Sequence, residues 1–178
     1  MSFSKEPAAS KIFIFLIVIL ASIFIGFHSP DQRMFSFAYL FFVLLHIFVD
    51  QLDVLLPRGN SAVSVSFAVD LALIILFGPT AAAYASLTTV LNIRTFKNFN
   101  ESWYKMLFNA SQMVLANGLA GHAYLFSGGQ NGVITLPADL LPILVSTIVF
   151  FFHQYNLSNV GCIFFPKSIF SYRLAYMF

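Results

Sequence analysis

Apolar residues in this chain run in long blocks separated by short polar interruptions. A bilayer-spanning helix needs about 20 largely apolar residues, with a range of about 17–25. On that measure the blocks predict helices over 11–27, 34–56, 61–77, 80–93, 102–126 and 136–156. The interruptions carry turn chemistry: His28 to Arg33, with Pro30 between them; Pro57-Arg58-Gly59-Asn60; and Ser127-Gly128-Gly129-Gln130-Asn131-Gly132. The block from Ser61 to Ile93 would be about 50 Å long as one helix at about 1.5 Å per residue, too long for a hydrocarbon layer of about 30 Å. Gly78-Pro79 lies in its middle, so the pattern predicts two shorter helices joined by a tight turn, with thinning of the bilayer or a re-entrant path as consequences of their length.

Charge turns this pattern into a topology. With six spans, Lys5, Lys11, Arg58, Arg94, Lys97, Lys105, Lys167 and Arg173 fall on one side and only Arg33 on the other. Basic residues mark the cytoplasmic side, which predicts both termini inside. Trp103 and Tyr104 are expected as interfacial anchors beside the hydrophilic stretch 94–105. Composition agrees: 59% of residues are hydrophobic and 9% charged, whereas soluble domains carry about 25% charged residues. The expected fold class is all-α, a polytopic bundle of about six transmembrane helices forming a single domain over 1–178, in a bacterial inner membrane.

Polar residues inside these blocks are the candidates for function. Asp70 stands at the middle of the third helix, where an ionised carboxylate costs about 2.5–3.5 kcal/mol on insertion scales. Ser66 precedes it by one turn on the same face. The fifth helix carries Asn109, Gln112 and Asn117; Lys105, Asn109, Gln112, Ala116 and Ala120 share one face, and Gly118 and Gly121 add small residues for close approach. Asp70, Ser66, Asn109, Gln112 and Asn117 are therefore the expected lining of an interhelical ligand pocket, with interhelical packing as the competing role. His46, Asp50 and Asp53 recur at spacings of four and three, which places them on one helical face. That stripe would tune the histidine or hold a cation, or else lie in the cytoplasmic headgroup layer beside Arg58. His122 is expected near the external surface, and His153, Gln154 and Asn156 at a helix end.

No phosphate-binding glycine loop, metalloprotease helix motif or nucleophile elbow occurs, and no basic aromatic surface suits nucleic acid. The single cysteine, Cys162, has no partner for an intramolecular disulfide. No cofactor, metal site or enzymatic activity is expected.

Three segments read together: 56–67 (Leu-Pro-Arg-Gly-Asn-Ser-Ala-Val-Ser-Val-Ser-Phe), 76–79 (Leu-Phe-Gly-Pro) and 103–112 (Trp-Tyr-Lys-Met-Leu-Phe-Asn-Ala-Ser-Gln), continued by 119–124 (Leu-Ala-Gly-His-Ala-Tyr) and Gly128-Gly129. Over about residues 50–130 they resemble the multi-span N-terminal module that precedes bacterial HD-GYP-type signalling domains. The resemblance implies a membrane input module that signals to a cytoplasmic domain. The chain carries no His-Asp pair and no Gly-Tyr-Pro motif of the output domain, so phosphodiesterase activity is not implied. Six helices with a Gly-Pro break also look like the substrate-binding component of energy-coupling-factor vitamin transporters, although the alanine-spaced first helix of those proteins is absent from 12–27. The expected function is thus a non-enzymatic membrane module that binds or senses a small ligand and couples it to a cytoplasmic partner; the alternative is the membrane subunit of a small-solute transporter. The sequence leaves the oligomeric state open.

Overall fold

The computed structural model describes residues 7–55, 62–64, 66–91 and 99–164. Among them six α-helices occur: α1 (Ala8–Phe27), α2 (Phe37–Asp50), α3 (Ser66–Phe77), α4 (Pro79–Ser86), α5 (Phe99–Phe126) and α6 (Leu140–Phe164). Short 3₁₀ turns span Gln32–Phe35 and Leu87–Leu91. A small antiparallel ribbon joins α2 to α3: β1 (Asp53–Leu55) pairs with β2 (Ala62–Ser64) in the register Asp53↔Ser64, Val54↔Val63 and Leu55↔Ala62.

The helix boundaries follow local chemistry. Ser36 caps α2, its Oγ accepting from the Tyr39 amide at 3.2 Å. Gly78 has φ of 95°, a conformation that L side chains rarely adopt, and Pro79 opens α4 as its first residue. α5 stops in a Schellman arrangement. The Gly129 amide donates to Tyr124 O and that of Gly128 to Leu125 O, both at 3.0 Å, with Gly128 left-handed at φ 101°.

Several predicted helices have different bounds. The helix expected over 34–56 ends at Asp50, and the one expected over 61–77 starts at Ser66; part of the sequence between them forms the ribbon. Pro57 disfavours helix in the residue before it, and Val54 and Val63 suit paired strands. The helix expected over 80–93 leaves α-geometry after Ser86 for a 3₁₀ turn, in which the Thr88 hydroxyl donates to Ala85 O at 2.6 Å. The first, fifth and sixth helices run over 8–27, 99–126 and 140–164 rather than 11–27, 102–126 and 136–156.

α5 is the centre of the packing. Ile14 and Ile17 of α1 pack with Tyr104 and Phe108 near the start of α5, and Phe24 and His28 meet Gly118 and His122 further along, so α1 and α5 run parallel. α4 runs antiparallel to α5, with Pro79 against Gly121 and Ser86 against Asn117. α6 is also antiparallel, with Gln154 on Gln112. α3 and α4 form a hairpin about Gly78. Tyr39 of α2 meets both arms next to this turn: its ring lies 5.4 Å from that of Phe77 and its hydroxyl donates to Ala81 O at 3.0 Å. Successive helices therefore alternate in direction. Lys11 and Lys105 lie toward one end of the bundle and Arg33 at the other; the other basic residues used in the topology fall outside the described residues.

Small residues set the close approach. Ala81, Ala82 and Ala83 of α4 and Ala116 and Ala120 of α5 are fully buried. A Cβ on Gly121 would stand 2.6 Å from the Pro79 Cα. Small residues on both helices thus let the two backbones approach closely.

The outside is apolar instead. Ile12, Phe15, Leu16, Ile19, Leu20 and Ile23 of α1 are exposed, as are Leu40, Phe41, Leu44 and Phe48 of α2 and Leu141, Leu144, Ile148 and Phe152 of α6. Among the described residues, two helices are long and apolar enough to cross a membrane: Ala8–Phe27 and the 140–157 part of α6. α2 and α3 are apolar but shorter, with 14 and 12 residues. Trp103 is exposed, as an interfacial anchor would be; Tyr104 is instead buried against Ile14, Ile17 and Phe108.

Candidate functional site

The polar residues turn inward. His46, Ser66, Asp70, Ser86, Gln112, Asn117, Ser146 and Gln154 are all buried among apolar neighbours. Asp70 sits one turn into α3, beyond buried Ser66, and faces α2. Its Oδ1 lies 3.1 Å from His46 Nε2, and the two side chains are 0% and 1% exposed. The approach is close but lacks the alignment of a full hydrogen bond, and among the described residues Asp70 Oδ2 has no hydrogen-bond partner. On the other side of the imidazole, His46 Nδ1 is 3.1 Å from the Thr88 hydroxyl oxygen.

These contacts fix where a proton sits. The Thr88 hydroxyl donates to Ala85 O, which as a carbonyl can only accept. Its oxygen is then free to accept from His46, so Nδ1 carries a hydrogen and Nε2 is the atom offered to Asp70. One further proton belongs to the Nε2–Oδ1 contact. On nitrogen it makes an imidazolium–carboxylate pair; on oxygen it makes two neutral groups. Both forms have zero net charge, whereas adding or removing a proton leaves a buried net charge in an apolar setting. The pair is therefore a buried latch between α2 and the α3–α4 hairpin that is neutral when its two side chains carry this one proton between them.

Two groupings expected from the sequence are rearranged. His46 and Asp50 stay on α2, but Asp53 belongs to β1 and the helical stripe ends before it. The structure gives His46 to Asp70 instead. Gln112 donates from Nε2 to Gln154 Oε1 at 2.7 Å, and Gln154 Nε2 contacts Met113 Sδ at 2.8 Å. Asn117 Nδ2 donates to Ser86 Oγ at 2.6 Å, and Ser86 donates in turn to Ala82 O at 2.8 Å. Asn109 is half-buried. The amides thus tie α5 to α6 and to α4. Thr88, Ser86 and Gln154 complete these contacts without a sequence signal of their own; Thr88 and Ser86 lie in a stretch whose hydropathy reads as plain helix.

Among the described residues, buried oxygens without a hydrogen-bond partner are both carboxylate oxygens of Asp70, Thr89 Oγ1, Asn117 Oδ1 and Ser146 Oγ, together with Asn131 Oδ1 near the Gly78 turn. Among the described residues no three His, Cys, Asp or Glu side chains are grouped to hold a metal ion. Comparison with known proteins finds no matching family, no matching curated protein and no matching solved structure.

Proposed function

We propose that the chain is a non-enzymatic, multi-span module of the bacterial inner membrane, with both termini cytoplasmic, that binds a small hydrogen-bond-donating ligand at Asp70 and reports its occupancy to a cytoplasmic partner. The membrane setting is supported by the inversion of polarity: apolar side chains on the outside of α1, α2 and α6, and His, Asp, Asn and Gln within. The ligand site rests on one observation, the fully buried Asp70 Oδ2 that has nothing to accept from. Buried acceptors are nearly always satisfied, so one left open is where a donor fits. A cation or amine seated there competes with His46 for the carboxylate and loosens the latch between α2 and α3.

The output path follows from connectivity. β1 and β2 are the direct link between the two helices that carry His46 and Asp70, and the Asp53–Ser64 pairing closes the ribbon's base near both helix ends. A change in the spacing of α2 and α3 is thereby delivered to the ribbon, on the side that the basic residues mark as cytoplasmic. This mode of action fits the input-module resemblance.

The test is purification of the full chain with native lipids, mass spectrometry of bound small molecules, and hydrogen exchange across residues 50–66. Loss of the bound species and slower exchange are expected in Asp70→Asn, whose amide can still donate to His46 while no cation competes for it. Unchanged ligand content and unchanged exchange would remove the proposal. A reporter inserted at 127–132 should behave as external; cytoplasmic behaviour would reverse the topology. A second reading, a subunit of a small-solute transporter, is favoured by the further open oxygens of Asn117 and Ser146 on α5 and α6. Solute uptake by proteoliposomes that is abolished in Asn117→Ala separates the two.

A further inference from the structure

At the far end of the bundle from Lys11, a pair of histidines is held between α1 and α5. His28 follows the last residue of α1, and its Nδ1 lies 2.9 Å from Phe24 O. A carbonyl only accepts, so Nδ1 carries the hydrogen and the Nε2 lone pair is free. That Nε2 lies 3.3 Å from Nε2 of His122. Both rings are half-buried. Phe24 stacks on His28 with centroids 4.3 Å apart and meets His122 edge-on at 6.0 Å. The Tyr84 hydroxyl reaches the carbonyls of Ile25 at 3.4 Å and His28 at 3.3 Å, which ties down the backbone under the ring.

The geometry points to an exchangeable site for a borderline divalent transition ion (Zn²⁺, Cu²⁺ or Ni²⁺) bridging His28 and His122. Two imidazole nitrogens about 2.0–2.1 Å from a tetrahedral ion stand about 3.3–3.4 Å apart, which matches the observed separation. The rings also bend toward a common point. Their centroids are 5.3 Å apart and their planes inclined by 55°. The carbonyl that takes the Nδ1 hydrogen of His28 is the usual outer partner of a metal-binding histidine, fixing both tautomer and orientation. An all-nitrogen pair suits these ions and not Mg²⁺ or Ca²⁺, which take oxygen.

Without an ion, His122 donates its Nε2 hydrogen to His28. On binding, that hydrogen moves to Nδ1 of the same ring through solvent, both imidazoles stay neutral, and water fills the remaining coordination positions. Two protein ligands make such a site open and exchangeable.

The site lies at the opposite end of the bundle from the α2–α3 ribbon and is independent of the Asp70 proposal. The test uses the full chain without a polyhistidine tag, in lipid nanodiscs, with Cu²⁺ for electron paramagnetic resonance and Zn²⁺ for thermal melting. One Cu²⁺ per chain with hyperfine structure from two imidazole nitrogens is expected, and Zn²⁺ should raise the melting temperature. His28→Ala and His122→Gln should each weaken binding at least tenfold and abolish the Zn²⁺ shift. His153→Ala, on α6, should leave both unchanged. His122→Cys, which keeps a ligand for Zn²⁺, should retain the shift and covers the case in which His28→Ala fails to fold. Binding unaltered in both His28→Ala and His122→Gln, or lost only in His153→Ala, would overturn the proposal.

Discussion

Removing either partner of the His46–Asp70 latch should not cost the same, and the asymmetry follows from Thr88. Breaking a buried ion pair costs about 3–5 kcal/mol when a charge is left uncompensated. In Asp70→Leu, His46 escapes that penalty. Its Nδ1–H already has the Thr88 oxygen, so the ring can go neutral and leaves only Nε2 unsatisfied, a loss of about 1–3 kcal/mol. In His46→Leu, Asp70 has no such refuge, because Oδ2 is already unpartnered and Oδ1 loses its one close neighbour. The larger penalty of about 3–5 kcal/mol then applies. The double variant His46→Leu/Asp70→Leu should lose much less stability than the sum of the two single losses, since it buries no orphan group. Asp70→Asn should cost least, because its amide can donate to Nε2; buried side-chain hydrogen bonds between membrane helices average about 0.6 kcal/mol. The assay is reversible unfolding of the full chain in mixed micelles titrated with a denaturing detergent and followed by far-ultraviolet circular dichroism. Equal losses in the two single leucine variants, or a double variant equal to their sum, would refute this account of where the proton sits.

Other substitutions probe the packing. Gly121→Ala places a methyl group 2.6 Å from the Pro79 Cα, which is backbone and cannot swing aside; a loss of about 1–3 kcal/mol in the same unfolding assay is expected, and a neutral result would mean that α4 does not seat on α5 as described. Gly128→Ala and Gly26→Ala should have opposite signs although neither Cβ meets an atom within 4 Å. The first forces a left-handed residue and costs about 1–2 kcal/mol; the second, inside α1, gains up to about 1 kcal/mol, and equal effects would contradict the turn geometry. A double-mutant cycle between Gln112→Leu and Gln154→Leu should give a coupling of about 0.6–1.7 kcal/mol, and a coupling near zero would show that the two amides do not meet.

Much of the local architecture is legible in one dimension. Gly78-Pro79 splits a stretch too long to be one span, because a left-handed glycine followed by proline ends one helix and starts the next whatever surrounds it. The Gly128-Gly129 pair ends α5 for an equally local reason. The ribbon was hidden because Asp53–Leu55 and Ala62–Ser64 read as continuations of apolar blocks; pairing depends on residues seven to eleven positions apart finding each other, which hydropathy windows do not register. Tyr104 shows the same limit: beside exposed Trp103 it reads as an interfacial ring, yet contacts from α1 enclose it.

The inner polar set divides along the same line. That Asp70, His46, Gln112 and Asn117 would be costly in an apolar setting follows from residue type and position in a run, since the desolvation of a carboxylate, an imidazole or an amide is a property of the group. Which groups relieve one another is a different matter. Asp70 meets a histidine twenty-four positions earlier, Gln112 a glutamine on the antiparallel neighbour, and Asn117 a serine on α4, because the α3–α4 hairpin folds against α2 while small residues let α4 sit on α5. The sequence by itself determined the helix breaks at Gly78-Pro79 and Gly128-Gly129 and that buried polar groups need partners, both short-range consequences of backbone sterics and solvation. The partners, and with them the proton latch and the histidine pair, were decided by tertiary packing, since helix rotation and crossing are fixed only when several faces are satisfied together.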